Sequence, residues 1–398
     1  MFGFLQRKAW PIAVDLGADS IKMLQMKRVG AGVRVVACAR WRYPLEARQD
    51  PARRRPLAVQ AVKEILRVEP FRGRDVVSAL PCRDLIIKNI RLASLAPADL
   101  DRAVRGEIQD RLGDGLDSSQ ISYLHAGPVR QGVETREEVI VLAAPRPAIE
   151  AHVGLLSDMG LRLLHIDAEP IALFRVFERF LRRKSDQQSV SVIVDIGCHG
   201  TRVVVARGRQ IVFIKNVEIG GARLTEAVSK QLGLPLQEAD DLRTRTASQE
   251  TEAPPPDGVE PAAAPSDPAP APPDLRRTVN WSLRDAIRGE VDLLAKEIAL
   301  CLRYCSVTFR GLRPDAIILA GGEARDPAVA ELLQEHLNLP CRVGQPLRGV
   351  DVSGVDLGGD RRSQMAEWAL SVGLAARDAD MPAGTLEDEN GLRDRLLA

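Results

Sequence analysis

The sequence predicts an α/β fold of two related lobes facing a cleft, and three observations predict it. The chain has 398 residues, 45% hydrophobic and 27% charged, long enough for more than one core and apolar enough to fill them. A strand-turn-strand-turn-strand pattern that opens at Ile12 returns at Val192, an offset of 180 residues. A further apolar strand, Ala316 to Ala320, runs into Gly321-Gly322 and a stretch of helical spacing.

Taken in order, Ile12-Ala13-Val14 is a strand that ends in the turn Asp15-Leu16-Gly17, followed by strands Ile21 to Met26 and Val33 to Ala39 around a turn of glycine and basic residues. Asp75 to Leu164 alternates strand and helix patterns and reads as an insertion, and the strand His165 to Ala168 then passes into a helix at Glu169. The second copy places Asp195 where the first has Asp15, Gly197 for Gly17 and Arg202 for Lys22, with strands Thr201 to Ala206 and Ile211 to Lys215. Leu224, Ala227 and Val228 mark a helix. Ala247 to Asp274 holds nine of the 26 prolines and, apart from Val259, no large apolar residue, the composition of an extended insert that cannot repay its ordering by burial. Leu283, Ile287, Val291, Leu294, Ile298, Cys301 and Cys305 then step by threes and fours along one long helix. Val329 to Leu337 is the helix after the Gly-Gly turn.

Composition excludes several classes. Fifty-five Lys and Arg against 54 Asp and Glu give a net charge of +1 and no electrostatic case for nucleic acid or an anionic membrane. Six cysteines lie scattered without a C-x-x-C, as in a reduced compartment. Met1 to Lys8 is too short and charged for a signal peptide, and no apolar run reaches the roughly 18 residues of a bilayer helix. The expectation is a cytoplasmic protein that meets a membrane only through a partner.

A single D-x-G at a strand end is more often an ordinary Asx-turn than a ligand site. Two of them at matched turns describe a phosphate clamp, in which glycine admits backbone N–H groups to an anion and the carboxylates hold a cation such as Mg²⁺ through its waters. Gly321-Gly322 before a helix suits contact with a nucleotide or a plain βα turn. P-loop and Rossmann signatures are absent from the sequence. Adjacent Cys198 and His199, without further ligands, make a poor metal pair and read as side chains of the second turn.

Asp15-Leu16-Gly17, Asp195-Ile196-Gly197, Ile219-Gly220-Gly221 and Leu319-Ala320-Gly321-Gly322 stand in the order and spacing of the phosphate and adenosine motifs of the actin/Hsp70 ATPase superfamily. With the segments Val77 to Leu112, His165 to Arg179 and Val217 to Arg243, the chain resembles the PilM family of type IV pilus assembly, from about Phe2 to Arg377. The resemblance implies an actin/Hsp70-like fold of two ribonuclease-H-like lobes with an FtsA-type 1C subdomain. It divides the chain into 1–74 (lobe I), 75–164 (subdomain 1C), 165–188 (return to lobe I and crossover), 189–377 (lobe II, with the insert 247–274) and a tail, 378–398. It also implies ATP with Mg²⁺ between the lobes. Asp15 and Asp195 would face the metal; Gly17 and Gly197 would admit backbone to the phosphates, Gly321 and Gly322 would lie under the adenosine, and Lys22, Thr201, Gly220 and Gly221 would also belong to the nucleotide site. Glu169 stands where relatives carry a water-orienting residue, and equally where a helix start favours a carboxylate.

Two departures weaken tight binding and leave hydrolysis open. Ala18-Asp19 follows the first D-x-G where relatives have Ser or Thr, and Ala299-Leu300-Cys301 stands where they place a basic residue beside the adenine. The partners implied are the cytoplasmic tail of a PilN-like bitopic inner-membrane protein, held between 1A and 1C, and other pilus assembly proteins. Val76, Val77, Val139 and Val141 either line that groove or fill the core. The alternatives are an FtsA-like membrane-associated filament protein, for which the tail offers only Leu392, Leu396 and Leu397, and a small-molecule kinase of the same superfamily.

Overall fold

Each copy of the repeat folds into the same five-stranded sheet. A computed structural model describes residues 10–93, 97–112, 119–181, 183–250, 275–357 and 365–377. The strands are β1 Ile12–Leu16, β2 Ser20–Val29, β3 Gly32–Arg42, β4 Asp75–Leu80, β5 Ile86–Ala93, β6 Ser119–Gln131, β7 Glu134–Pro145, β8 Arg162–Ala168, β9 Val190–Ile196, β10 Thr201–Arg207, β11 Gln210–Val217, β12 Ile317–Ala320 and β13 Cys341–Val343. The helices are α1 Leu45–Arg48, α2 Pro51–Val68, α3 Pro97–Leu112, α4 Arg146–Asp158, α5 Glu169–Glu178, α6 Gly221–Leu232, α7 Leu236–Glu250, α8 Leu275–Thr308, α9 Pro327–Leu337 and α10 Ala369–Ala375.

Sheet order is β3-β2-β1-β4-β8 in the first lobe and β11-β10-β9-β12-β13 in the second. In both, an antiparallel meander is followed by two parallel strands, and β1 with β4 and β9 with β12 form the matching parallel pairs. This is the actin-like architecture of two ribonuclease-H-like lobes. Parallel central strands need crossovers and cover on both faces, and Ile12, Ala13, Val14, Val192, Ile193 and Val194 are accordingly all buried. Asp50 starts α2 by accepting from the N–H groups of Ala52 and Arg53, and Asp326 starts α9 by accepting from Ala328.

The insertion is shorter than its expected limits of 75 and 164. β4 is an inner strand of the first sheet, and β8 pairs with it along its whole length. Helix α4 packs on β4, β8 and α2, completing an ordinary β-α-β crossover. The inserted body is the sheet β5-β7-β6 with α3. Val139 and Val141 pack on one face of this sheet with Val104 and Ile108 of α3, while Ile140 and Leu142 on the other join the main core. Val76 and Val77 sit in the two cores of the first lobe. All four valines are therefore core residues and none lines a groove, because alternate residues of these strands face packed layers on both sides.

A second difference concerns the end of the chain. Helix α10, expected in lobe II, packs on α5, β1 and β2 of the first lobe, with Arg175 donating to the Gly373 carbonyl at 2.8 Å. The extended insert expected from Ala247 to Asp274 begins later than that, because Ala247 to Glu250 form the last turn of α7; its remainder, 251–274, and the tail 378–398 lie outside the described residues.

His152 of α4 is buried with its Nε2 3.1 Å from Ser78 Oγ, and burial lowers its pKa. A lowered folded pKa means that the unfolded chain binds the proton more readily, so stability falls as pH drops through the ordinary imidazole range near 6.5. Chemical denaturation of the wild type should show that decline, and His152→Gln should flatten it.

Candidate functional site

The side chains of the site stand in two matched rows across the two sheets. Strand pairing sets Asp15 opposite Lys22 and Lys22 opposite Arg40, and in the second lobe Asp195 opposite Arg202 and Arg202 opposite Asn216. Cross-strand neighbours of opposite charge meet directly. Lys22 Nζ donates to Asp15 Oδ2 at 3.0 Å, and Arg202 grips Asp195 through Nε and Nη2. The spacing D-x-G-x-x-x-x-[KR] is therefore a pair built by the hairpin itself.

The rows line one cleft of about 600 Å³ between the lobes, within the size range of small-molecule sites. Asp15, Gly17, Lys22, Glu169, Asp195, Gly197, Gly221, Gly321 and Gly322 all line it. Thr201 and Gly220 lie behind the wall. The Thr201 hydroxyl is buried and donates to the Ile219 carbonyl at 2.7 Å, and a Cβ on Gly220 would come within 2.5 Å of the Gly197 carbonyl. Gly321, at φ +88°, is pressed against the Ile196 carbonyl, where a Cβ would be 2.4 Å away.

Glu169 is held from two sides. Its Oε2 accepts from the Cys82 N–H at 2.8 Å and from Arg202 Nη1 at 3.1 Å. Arg202 thus joins the helix start of α5 in the first lobe to the D-x-G strand of the second, and a water-orienting role for Glu169 requires Arg202 to release it.

Asp19 does not repel an anion in this geometry. Arg42 donates to it at 2.9 Å, with Arg48 at 3.3 Å and Arg40 at 3.6 Å. Burial alone would raise its carboxyl, but the guanidiniums of Arg42, Arg48 and Arg40 outweigh this and hold it below the usual range. Arg48 also reaches across the cleft to both oxygens of Asp240 on α7 at 3.0 and 3.1 Å, and Arg42 reaches Asp240 at 3.2 Å. His199 Nε2 donates to the Arg48 carbonyl at 2.8 Å. Burial pushes the Cys198 thiol up to about 12, with Asp19 and Glu323 adding to it, which suits a loop side chain and not a thiolate ligand.

The basic residue on the side of the Gly321-Gly322 turn comes from α7. Arg243 donates to Glu323 at 2.6 Å, to Asp326 at 3.1 Å and to Thr225 Oγ1 at 3.1 Å, whereas Ala299 and Leu300 on α8 are exposed and do not line the cleft. Sequence reading missed Arg40, Arg42, Arg48, Asp240, Arg243 and Glu323. In total eight Lys and Arg line the cleft against nine Asp and Glu. Among the described residues no cluster of three or more His, Cys, Asp or Glu could hold a metal by itself. Mg²⁺ commonly needs only one or two carboxylates when a phosphate supplies the rest.

Residues 13–251 match a family model described as type IV pilus assembly protein PilM, and residues 192–368 match that of cell division protein FtsA. Among solved structures the chain is similar to one of the PilM-PilN type IV pilus biogenesis complex, with 22% identity, 93% of this chain and 98% of that chain covered, and a TM-score of 0.71. It is also similar to the ethanolamine utilization protein EutJ from Carboxydothermus hydrogenoformans, with 14% identity, 93% and 90% covered, and a TM-score of 0.52.

Proposed function

Because the chain belongs to the PilM family of type IV pilus assembly proteins, we propose that it is a cytoplasmic docking scaffold, gripping the tail of a PilN-like bitopic inner-membrane protein where its first lobe meets the inserted subdomain. The observation that carries this reading is the edge of the first sheet. Among the described residues β8 pairs only with β4, leaving its outer side open, with Leu164 43% exposed and Leu163 and Ile166 half-buried. The inserted sheet offers β5, also an edge strand, with Ile86 and Ile87 half-buried. An extended peptide binds such an edge by backbone pairing, and its alternate apolar side chains fill the neighbouring surface. The similar PilM-PilN complex supports the class of partner. No helix among the described residues is long and apolar enough to cross a membrane, and a grip on an anchored tail supplies the attachment.

Leu164→Glu places a charge on this edge without disturbing a core. It should reduce co-sedimentation of the chain with inner membranes about tenfold while leaving the melting temperature unchanged. Wild-type co-sedimentation of that variant would end the β8 assignment.

The cleft is the second part of the reading. Its phosphate side fits a nucleoside polyphosphate: two glycine turns face each other, and Lys22, Arg202 and Arg48 line the space between them. A bound ATP would bring Mg²⁺ and the phosphates, with Asp15 and Asp195 placed to hold the metal through its waters. The match to FtsA over residues 192–368 favours one alternative, a membrane-associated filament, and polymerisation of the purified chain would support it.

A further inference from the structure

Helix α8 is satisfied along its first half and bare along its second. Arg284 pairs with Glu331 and Glu335 of α9, Glu290 pairs with Arg223 at 2.7 Å, and Asp292 meets His336 of α9. Beyond Asp292 the partners stop on one face. Leu293, Leu300 and Val307 stand there at intervals of seven, 42%, 46% and 75% exposed. Lys296 and Arg303, exposed and also seven apart, alternate with them, and among the described residues neither has an ion-pair partner. Leu294, Ile298, Cys301 and Cys305 on the opposite face are buried in the main core, so the exposed rows are not needed to hold α8 in place.

Steps of three and four along one face are the spacing of a helix that packs on another helix, each side chain entering a hole between four of its neighbour's. From Leu293 to Val307 the row runs about 21 Å at the helical rise. We propose that this face of α8 is a docking site for an acidic amphipathic helix of a partner protein, one whose apolar residues recur every seven and whose Asp or Glu stand between them to meet Lys296 and Arg303. It is a second surface, on the second lobe, and depends neither on the β8 edge nor on a ligand in the cleft. Charge and width decide between occupants. A second copy of this chain would bring two Lys296 and two Arg303 into one interface, with only Glu297 of each copy at its margin, and like charges face to face oppose association. A lipid surface takes a broad apolar face, whereas this one is a single file of three side chains between Arg303 and Glu297.

The test uses the full chain and a synthetic helical peptide of Ala and Gln with Leu at every seventh residue and Glu on the third and fourth residues after each Leu, which suits either direction. Fluorescence anisotropy should show that this labelled peptide binds and that added salt weakens it. Leu300→Glu and Arg303→Glu should each weaken binding about tenfold with the melting temperature unchanged, since both side chains are exposed. The double variant Lys296→Glu/Arg303→Glu should instead prefer the same peptide with Lys in place of Glu. Failure of the wild type to bind, or equal binding of the Glu and Lys peptides, overturns the proposal. Sedimentation showing a wild-type dimer that Leu300→Glu dissolves overturns it in favour of a second copy. Binding to vesicles of phosphatidylcholine and phosphatidylglycerol that the same variant abolishes overturns it in favour of a lipid surface.

Discussion

Replacing Arg202 by methionine should cost about 3–5 kcal/mol of stability, the range found when one partner of a buried ion pair is removed. Arg202 faces Asp195 and Glu169, which are 3% and 8% exposed, and it is the guanidinium that both share. Burial disfavours its charge, but the two carboxylates outweigh that and raise its pKa. Methionine fills most of the volume and neutralises nothing, so two buried carboxylates are left facing each other. The measurement is urea denaturation of wild type, Arg202→Met and the double variant Arg202→Met/Asp195→Asn. The double variant should recover part of the loss, because the surviving Glu169 still has the Cys82 N–H. A single variant within 1 kcal/mol of wild type, on the usual scale of exposed pairs, would show that the pair is solvated and that the rows do not hold the lobes together.

Gly373→Ala is the second large effect, and its sign is set by competition. In an ordinary helix interior alanine would gain about 1 kcal/mol over glycine. In α10 the added Cβ would stand 1.9 Å from the Ala172 carbonyl of α5. That neighbour is backbone and cannot rotate away, so α10 must move off α5, taking Val372 and Leu374 partly out of the core. Overpacking of this kind costs about 3 kcal/mol, and the net result should be a melting temperature several degrees lower. An unchanged or higher melting temperature would mean that α10 does not press on α5 as described.

The parts of this molecule that were legible in the sequence are those written by local periodicity and repetition. Both D-x-G hairpins fold where the duplicated pattern puts them, because alternation of apolar residues fixes strand register and glycine fixes the turns. The pairing of Lys22 with Asp15 and of Arg202 with Asp195 follows from the same hairpin geometry at a spacing of seven. What escaped is non-local. Arg48 and Asp240 are 192 residues apart, and Arg243 and Glu323 are 80 apart; nothing in either neighbourhood marks them as partners. Asp19 read as a repulsive departure because its three arginines, although two are on β3, converge only when that strand pairs beside the first turn. The limits of the insertion escaped for a different reason. β4 and β8 carry the same apolar runs as β5 and β7, and only the parallel pairing of β4 with β1 and β8 assigns them to the first lobe.

The docking edge is tested most directly by a photo-crosslinking residue placed at position 164 in cells, with position 133 as the control. Leu164, the residue of β8 skipped in its register with β4, is 43% exposed, whereas Val133 is fully exposed at the tip between β6 and β7. The account predicts that illumination links position 164 to the cytoplasmic tail of a bitopic inner-membrane protein and that position 133 gives no such product. A tail product from position 133 with none from position 164 would contradict it.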